Sequence, residues 1–277
     1  MRGPGVATAW SELIARFGPL KPLGQGVEAR VFADNGRVFK VYKPKERELA
    51  FKEAKNLARA GLGAWVLGVE VLEAGHGVLI LRRFPGEPFA PERFDDRALA
   101  SLGAFLLRLH RLPEAGALEL GAVRERLLRF KDALAEIPGA PEVADRLAPR
   151  LALLKGVRPA FCHTDLWAGN VLIAADGQTF VVDWARAKGE DPARDLAILK
   201  TGSLDLLGPK AALDALRPIV RHYPEPLAIW ARLGFWIPMT YLHDLYWFLT
   251  KAPEGLEEAV RTKLPLAEAL SKSFPPL

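Results

Sequence analysis

The sequence HTDLWAGNVLIAADGQTFVVD, residues 163–183, decides how the rest of the chain is interpreted. Two short apolar runs, VLIA and FVV, flank the turn residues DG, and this pattern predicts a small β-hairpin. Three side chains that carry oxygen, Asp165, Asn170 and Asp183, stand at the two ends of that hairpin. Each aspartate taken alone is better explained as a turn residue or a helix cap. The functional interpretation therefore depends on their order and spacing.

The first eight residues match H-x-D-L-x-x-x-N, which resembles the catalytic loop of kinase-fold phosphotransferases. Phosphoryl transfer needs an acceptor oxygen in line with the γ-phosphate and metal ions that spread the charge on the phosphoryl oxygens. A carboxylate beside the acceptor hydroxyl can take its proton, and we expect Asp165 to do so. Mg²⁺ is bound mainly by oxygen. Asn170 and Asp183 are its predicted ligands.

A glycine-containing turn lies far upstream of this loop. Residues 23–31 approximate G-x-G-x-x-G-x-V, with Gly24 and Gly26 in the first two glycine positions and Ala29 in the third. Such a loop lets backbone N–H groups approach phosphates. A plain β-turn is the alternative, but the place of the motif between a first strand and a hairpin favours phosphate contact.

The strand after that turn supplies a candidate phosphate-binding lysine. Side chains alternate along a strand, so Val38 and Lys40 share a face. That face could place an apolar side chain on the adenine and an ammonium group on the α- and β-phosphates. Lys43 is the competing lysine, but it precedes a proline at the end of the strand. Lys40 is the preferred assignment.

A lysine in this role needs a carboxylate to orient it. The segment 46–60 is rich in helix-forming residues and predicts a helix. Glu53 lies on its apolar face, whereas Glu48 points elsewhere and Glu46 lies near the helix start. Glu53 is therefore the predicted partner of Lys40. The alternative is a solvated helix charge.

The order of these motifs resembles the aminoglycoside phosphotransferase and choline kinase group of the protein-kinase-like fold. The sequence VVDW is similar to the I-D-W of that group, and residues 189–197 resemble its D-P-x-x-D-L-A signature. Leu-His-Arg-Leu at 109–112 resembles its L-H-x-L. By this resemblance Asp195 braces the catalytic loop from a helix start and is not itself catalytic. The resemblance covers about residues 20–200.

The resemblance implies an α+β, two-lobe protein-kinase-like fold, with a small antiparallel-sheet lobe and a mostly helical lobe. We expect residues 1–85 to form the nucleotide-binding lobe, with a leading helix over 6–17. Residues 86–277 are expected to form the catalytic and substrate lobe. The first lobe reads as strand, strand, helix, strand, strand. The segment Phe84–Pro88 resembles a hinge or linker.

Composition and charge limit the classes of protein that fit. Half of the 277 residues are hydrophobic and 26% are charged, which excludes a disordered chain. A single cysteine, Cys162, excludes a disulfide framework. Residues 1–85 carry 14 basic and 8 acidic side chains, a net charge of +6, and the remainder of the chain carries −1. The first lobe would therefore attract an anion such as a nucleotide phosphate.

Two kinds of partner are not expected. Basic runs with interleaved aromatic residues, typical of nucleic-acid binding, are missing from the sequence. The apolar stretch 227–249 is long enough to span a bilayer but contains Arg232 and Asp244. Charges are costly at mid-membrane, so core helices are the better interpretation. The sequence has no signal-peptide pattern, and a reducing cytoplasm is the expected compartment.

These observations predict an enzyme that uses ATP and Mg²⁺ to phosphorylate a hydroxyl group of a small molecule. The acceptor, the choice of ATP over GTP and the oligomeric state are not predicted. The DLWAGN sequence resembles the fructosamine kinase branch, and residues 27–29 resemble small atypical protein kinases instead. An atypical protein kinase and a nucleotide-binding pseudokinase therefore remain alternatives. The aromatic region 236–247 is interpreted as core, with an acceptor pocket as the alternative.

Overall fold

The computed structural model describes residues 4–25 and 28–277. Gly26, one of the predicted phosphate-binding glycines, lies outside the described residues. The chain divides into two compact units. The first unit contains the described residues up to Pro85 together with Val182–Ala187, and the second contains 86–181 and 188–277. The short segment around Asp183 thus belongs to the first unit, although it follows Asp165 closely in the chain.

The first unit is built around an antiparallel sheet of strand order β1-β2-β3-β5-β4. The turn between β2 and β3 is held by Asp34, whose Oδ1 accepts hydrogen bonds from the backbone N–H groups of Gly36 (2.9 Å) and Arg37 (2.7 Å). The elements are α1 (Pro4–Phe17), β1 (Lys21–Gln25), β2 (Ala29–Ala33), β3 (Arg37–Tyr42), α2 (Glu48–Arg59), β4 (Val66–Val71) and β5 (Gly77–Arg82).

Helix α1 contributes to the core of this unit. Leu13 on α1 joins a buried apolar cluster with Phe39 and Val41 on β3 and Ile80 on β5. The ring centroid of Phe17 lies 4.9 Å from that of Phe39. Burial of these apolar side chains is the main term that holds the helix to the sheet.

The structure adds two strands to those that the sequence pattern predicts in this part of the chain. The sequence pattern predicts four strands, but the sheet has five, because Lys21–Gln25 pairs with β2. This strand contains Pro22 and Gly24 and lacks alternating apolar residues, so apolar alternation does not predict it, although the place of the glycine motif implies a strand before the turn. The predicted linker also contains a strand, β6 (Gly86–Pro88), which belongs to the second unit.

Close packing at the start of β5 gives a test of this unit. Gly77→Ala is expected to lower the free energy of unfolding by about 1–3 kcal/mol. The new Cβ would lie 2.5 Å from the backbone oxygen of Arg47 and 2.9 Å from its Cα. Urea denaturation measures the effect. Gly36→Ala is the control, because its Cβ would meet no described atom within 4 Å. Equal stability of the two variants would contradict the packing.

The second unit is mostly helical, as expected, and it carries two small antiparallel sheets. One sheet pairs β10 with β7, and the other has the order β6-β8-β9. Its elements are β6, α3 (Asp96–Leu109), α4 (Leu120–Ala133), α5 (Ala140–Leu147), β7 (Ala160–Cys162), β8 (Val171–Ala174), β9 (Thr179–Val181), β10 (Lys188–Glu190), α6 (Pro192–Gly202), α7 (Pro209–Arg221), α8 (Pro226–Lys251) and α9 (Leu256–Lys272). The predicted α+β class is confirmed.

Helix α8 is the centre of this unit. It packs against α6 and α9, and its middle from Leu233 to Leu242 is buried throughout. Trp236 donates a hydrogen bond from Nε1 to Asp191 Oδ2 (2.8 Å), which caps α6. The expectation of a core helix is confirmed for the middle of this stretch. No helix in residues 4–25 or 28–277 combines the length and hydropathy needed to cross a bilayer.

Candidate active site

In the first unit, one lysine contacts two carboxylates. The Nζ of Lys40 lies 2.9 Å from Glu53 Oε2 and 2.6 Å from Asp183 Oδ1. Burial by itself would lower the pKa of this lysine, but the two carboxylates outweigh it and raise the pKa. Lys40 is therefore held as a cation. Val38 and Lys40 stand at alternate positions of β3, and both are partly accessible.

Glu53 is almost fully buried, and both of its oxygens are occupied. Its Oε1 accepts a hydrogen bond from the backbone N–H of Trp184 (2.9 Å). Its Oε2 accepts from Lys40 and from the hydroxyl of Tyr42. Burial and the neighbouring Glu53 carboxylate raise the pKa of Tyr42, so the phenol stays protonated and donates. A buried carboxylate with this set of donors has a fixed orientation.

The segment that carries Asp183 is tied to helix α2. The side chain of Asn56 donates from Nδ2 to the backbone oxygen of Trp184 (2.7 Å) and to that of Ala187 (3.4 Å). The sequence reasoning missed Asn56 and Tyr42. Asn56 follows Glu53 by three residues on the same helix face. A polar side chain on that buried face was the feature of the sequence that could have identified it.

Backbone strain marks both functional segments. Within the described residues, two non-glycine residues have positive φ, Thr164 (68°) and Asp183 (67°). This conformation costs on the order of 1–3 kcal/mol and persists only where the surroundings enforce it. Thr164 precedes the predicted base, and Asp183 is a predicted metal ligand. The strain sets the direction in which these side chains leave the backbone.

The catalytic-loop residues of the second unit contact one another. Asn170 donates from Nδ2 to the backbone oxygen of Asp165 (2.8 Å) and to its carboxylate Oδ2 (3.0 Å). These bonds fix the amide so that its nitrogen faces Asp165. The side-chain oxygen of Asn170 then accepts no hydrogen bond from a described residue. Asp165 itself is partly accessible.

Asp195 braces the loop from the first turn of α6. Its carboxylate is fully buried and accepts hydrogen bonds from the backbone N–H groups of His163 (2.7 Å) and Thr164 (2.6 Å). The His110 Nε2 lies 3.1 Å away. Burial would raise the pKa of Asp195, but the hydrogen bond and charge of His110 and the loop N–H groups lower it. The carboxylate therefore remains ionised.

Cys162 is a core residue at the end of β7. It is fully buried, its thiol donates to the backbone oxygen of Glu190 (3.4 Å), and burial raises its pKa well above the ordinary value. His110, Cys162 and Asp195 lie close enough to form a metal cluster. However, His110 and Asp195 are engaged in the loop brace, and His110 Nδ1 lies 2.6 Å from the Tyr223 hydroxyl. The cluster is better explained as packing.

A large aromatic side chain is exposed within the catalytic loop. Trp167 is 52% exposed, although the preceding Leu166 is fully buried. The Trp167 ring covers Gly169, because a Cβ added to Gly169 would lie 2.2 Å from a ring carbon. The Cα and Cβ of Trp167 lie against Gly202, where an added Cβ would be 3.0 Å from both atoms. The hydroxyl of Ser203 donates to the backbone oxygen of Leu166 (2.9 Å). The loop is therefore packed against the end of α6.

Next to this contact lies a buried charged group that the sequence reasoning missed. Lys200 Nζ is 2.5 Å from the Tyr241 hydroxyl and 2.8 Å from Asp205 Oδ1. Tyr241 in turn donates to Asp205 Oδ2 (2.5 Å). Burial lowers the pKa of Lys200. Tyr241 thus belongs to a buried polar network within the helical core.

The donor chemistry of these side chains fits a hard divalent cation. Asp183 is partly exposed and offers a carboxylate, and Asn170 offers an amide oxygen. Such oxygen ligands are typical of Mg²⁺, which keeps several water ligands when bound by few side chains. Gly24 lies in β1, where a Cβ would meet no described atom within 4 Å. The roles of all these residues remain predictions.

The family of the chain follows from a comparison over most of its length. A model of the phosphotransferase enzyme family matches residues 19–236. The chain belongs to this family. The predicted membership is thereby confirmed, and this phosphotransferase carries the site residues described above within the matched range. No curated protein matches its sequence.

Solved structures share the fold of this phosphotransferase at low sequence identity. A choline/ethanolamine kinase family protein from Mesorhizobium loti is 20% identical with a TM-score of 0.66, covering 98% of this chain and 96% of the other. The GDP complex of a mutant aminoglycoside 2'-phosphotransferase-IIIa is 14% identical with a TM-score of 0.69, covering 96% and 98%. A thermostable mutant of aminoglycoside phosphotransferase APH(4)-Ia, in complex with AMP-PNP and hygromycin B, is 17% identical with a TM-score of 0.66, covering 94% and 97%. At these identities the likeness shows the kinase-like fold, as predicted.

Proposed function

We propose that this phosphotransferase moves the γ-phosphoryl group of ATP to a hydroxyl group of a small molecule, with Mg²⁺ as the cofactor. The observation that carries the proposal is the contact of Lys40 with both Glu53 and Asp183. A lysine paired with a helix carboxylate and a neighbouring metal-binding aspartate is the arrangement on which kinase-type phosphoryl transfer depends. Membership of the phosphotransferase family supports it.

The nucleotide would be held by the groups of the first unit. Lys40 would bind the α- and β-phosphates, with Glu53 keeping its ammonium group in place. Val38, on the same face of β3, would contact the base. The glycine turn that includes Gly24 and Gly26 would offer backbone N–H groups to the phosphates. Related structures with AMP-PNP and with GDP support a nucleotide as ligand.

The catalytic groups would come from the loop and from the segment after β9. Asp165 would orient the acceptor hydroxyl and take its proton. Asn170 and Asp183 would bind Mg²⁺, which supplies charge neutralisation for the phosphoryl oxygens. Structural relatives named for choline or aminoglycoside phosphorylation support a small hydroxyl compound as acceptor.

Lys40→Met tests nucleotide binding. We expect Mg-ATP to raise the melting temperature of the native protein, by an amount that corresponds to about 2.7 kcal/mol at a hundredfold excess over Kd. In the variant, Kd for Mg-ATP should rise about tenfold or more, because a charge-assisted contact to phosphate is lost. Calorimetric titration with Mg-ATP and Mg-GTP measures both the affinity and the choice of base.

Lys43→Met is the matched control, because Lys43 follows three residues later in the chain and its side chain is exposed. Its affinity for Mg-ATP should equal that of the native protein. Equal losses in the two variants, or a native protein that binds neither nucleotide, would contradict the proposal.

A further inference from the structure

A pocket of about 410 Å³ opens in the second unit, beside the β7–β10 ladder. Its volume suits a small molecule. Helix α4 forms one wall, and strand β10 forms another together with Pro159, the residue before β7. The charged side chains that line it are Glu114, Glu119, Arg126, Lys188 and Glu190.

Arg126 is the arginine that lines this pocket. It is partly buried on α4, and its guanidinium forms no ion pair or hydrogen bond with a residue of the described ranges. The nearby Arg194 differs, because its guanidinium lies 2.6 Å from Glu190 Oε2. Glu190 Oε1 also accepts a hydrogen bond from the backbone N–H of Asp191 (3.2 Å). Glu190 is thus already engaged by Arg194, and it attracts Arg126 electrostatically without forming an ion pair with it.

Burying the Arg126 guanidinium in these surroundings costs free energy unless an anion lies beside it. Burial and the positive charge of Arg194 lower the pKa of Arg126, and the negative charge of Glu190 offsets only part of this lowering. Arginine keeps its charge in proteins, so an anionic ligand, and not the loss of a proton, would compensate the cost of burying this guanidinium. A guanidinium binds carboxylate and phosphate groups through paired hydrogen bonds.

The other polar groups of the pocket suit hydroxyl groups on the same ligand. Glu114 packs against Gly189, where a Cβ would lie 2.9 Å from its Cγ. Glu119 and Lys188 are exposed at the rim. Carboxylates accept hydrogen bonds from hydroxyl groups, so the pocket offers one cationic contact inside and several polar contacts around it.

We propose that this pocket binds the acidic group, a carboxylate or a phosphate, of a small hydroxylated molecule, and that Arg126 recognises it. Pro159, which lines the pocket, directly precedes β7, and β7 leads into the catalytic loop at residues 163–170. The ligand is either the acceptor itself or a separate effector, and the two share the same chemistry. The acceptor arm of the proposal rests on the proposed function.

Calorimetric titration with two matched pairs of probes tests the site. Ribose 5-phosphate is compared with ribose, and gluconate with glucose, in the presence of saturating Mg-ADP so that phosphate sites for the nucleotide are filled. The acids should bind about tenfold or more tightly than the neutral sugars. Arg126→Gln should remove that preference, whereas Arg124→Gln, an exposed position on the same helix, should keep it.

The outcomes separate this proposal from the proposed function. Acids that bind no more tightly than neutral sugars, or an unchanged preference in Arg126→Gln, would overturn the site. Transfer of label from ATP to the bound acid identifies it as an acceptor, and binding without transfer identifies an effector. Failure of the proposed function would appear as loss of Mg-ATP binding and of transfer, while acid binding in the native protein would persist. A melting curve for each variant verifies its fold.

Discussion

Asp165→Asn should lower kcat about 10²- to 10⁴-fold while the affinity for Mg-ATP stays within about twofold of the native value. The change keeps the shape of the side chain and removes its ability to accept a proton. Asn170 donates to the backbone oxygen of Asp165 as well as to its carboxylate, so the backbone contact of the loop survives. Steady-state transfer rates and nucleotide titration measure the two quantities separately.

Asp176→Asn is the control for this prediction. Asp176 is an exposed turn residue between β8 and β9, and its carboxylate caps the turn by accepting from Gln178 N–H (2.9 Å). We expect native turnover in this variant. Turnover retained by Asp165→Asn, or lost equally from both variants, would remove Asp165 from the mechanism.

Asp195→Asn should lower the free energy of unfolding by about 3–5 kcal/mol and also lower kcat. The carboxylate is fully buried and accepts from two loop N–H groups. An amide presents an NH₂ group to one of these donors, which leaves a buried N–H unsatisfied. Urea denaturation at pH 7 measures the stability, and transfer rates measured well below the transition report on the loop.

The pH dependence of this effect has a defined sign. The folded protein holds the pKa of Asp195 below its ordinary value. The stabilisation of the fold by the ionised Asp195 carboxylate is therefore fully present above about pH 4. It is lost as the pH falls through the lower pKa of the folded state. The stability difference between native protein and Asp195→Asn should narrow in acid. Asp96→Asn is the control, at an exposed position in the first turn of α3. It should lower neither the free energy of unfolding nor kcat. A difference that grows in acid would refute the assignment.

Local periodicity in the sequence was enough to predict that Glu53 is the partner of Lys40. Alternation along β3 and the helical spacing of α2 are short-range patterns, and the structure places these two side chains in contact. The loop brace by Asp195 followed from the family resemblance, because nothing local links it to His163 thirty-two residues earlier.

Other features could not be predicted because they depend on contacts between distant residues. Asn56 binds the backbone of Trp184, 128 residues away, and no spacing rule relates the two. The network of Lys200, Asp205 and Tyr241 arises from the packing of α6 against α8. Strand β1 forms by pairing with β2 despite its proline and glycine. Tertiary contacts override local propensity at such places.

The fate of the γ-phosphoryl group is the most direct test of the central claim. The protein is incubated with γ-labelled ATP, Mg²⁺ and a mixture of small hydroxyl compounds, and the label is then separated into small-molecule and protein fractions. The account predicts label on a small molecule, and almost none with Asp165→Asn. Label on protein alone would indicate an atypical protein kinase, and nucleotide binding without any transfer would indicate a pseudokinase. Either result would contradict the account.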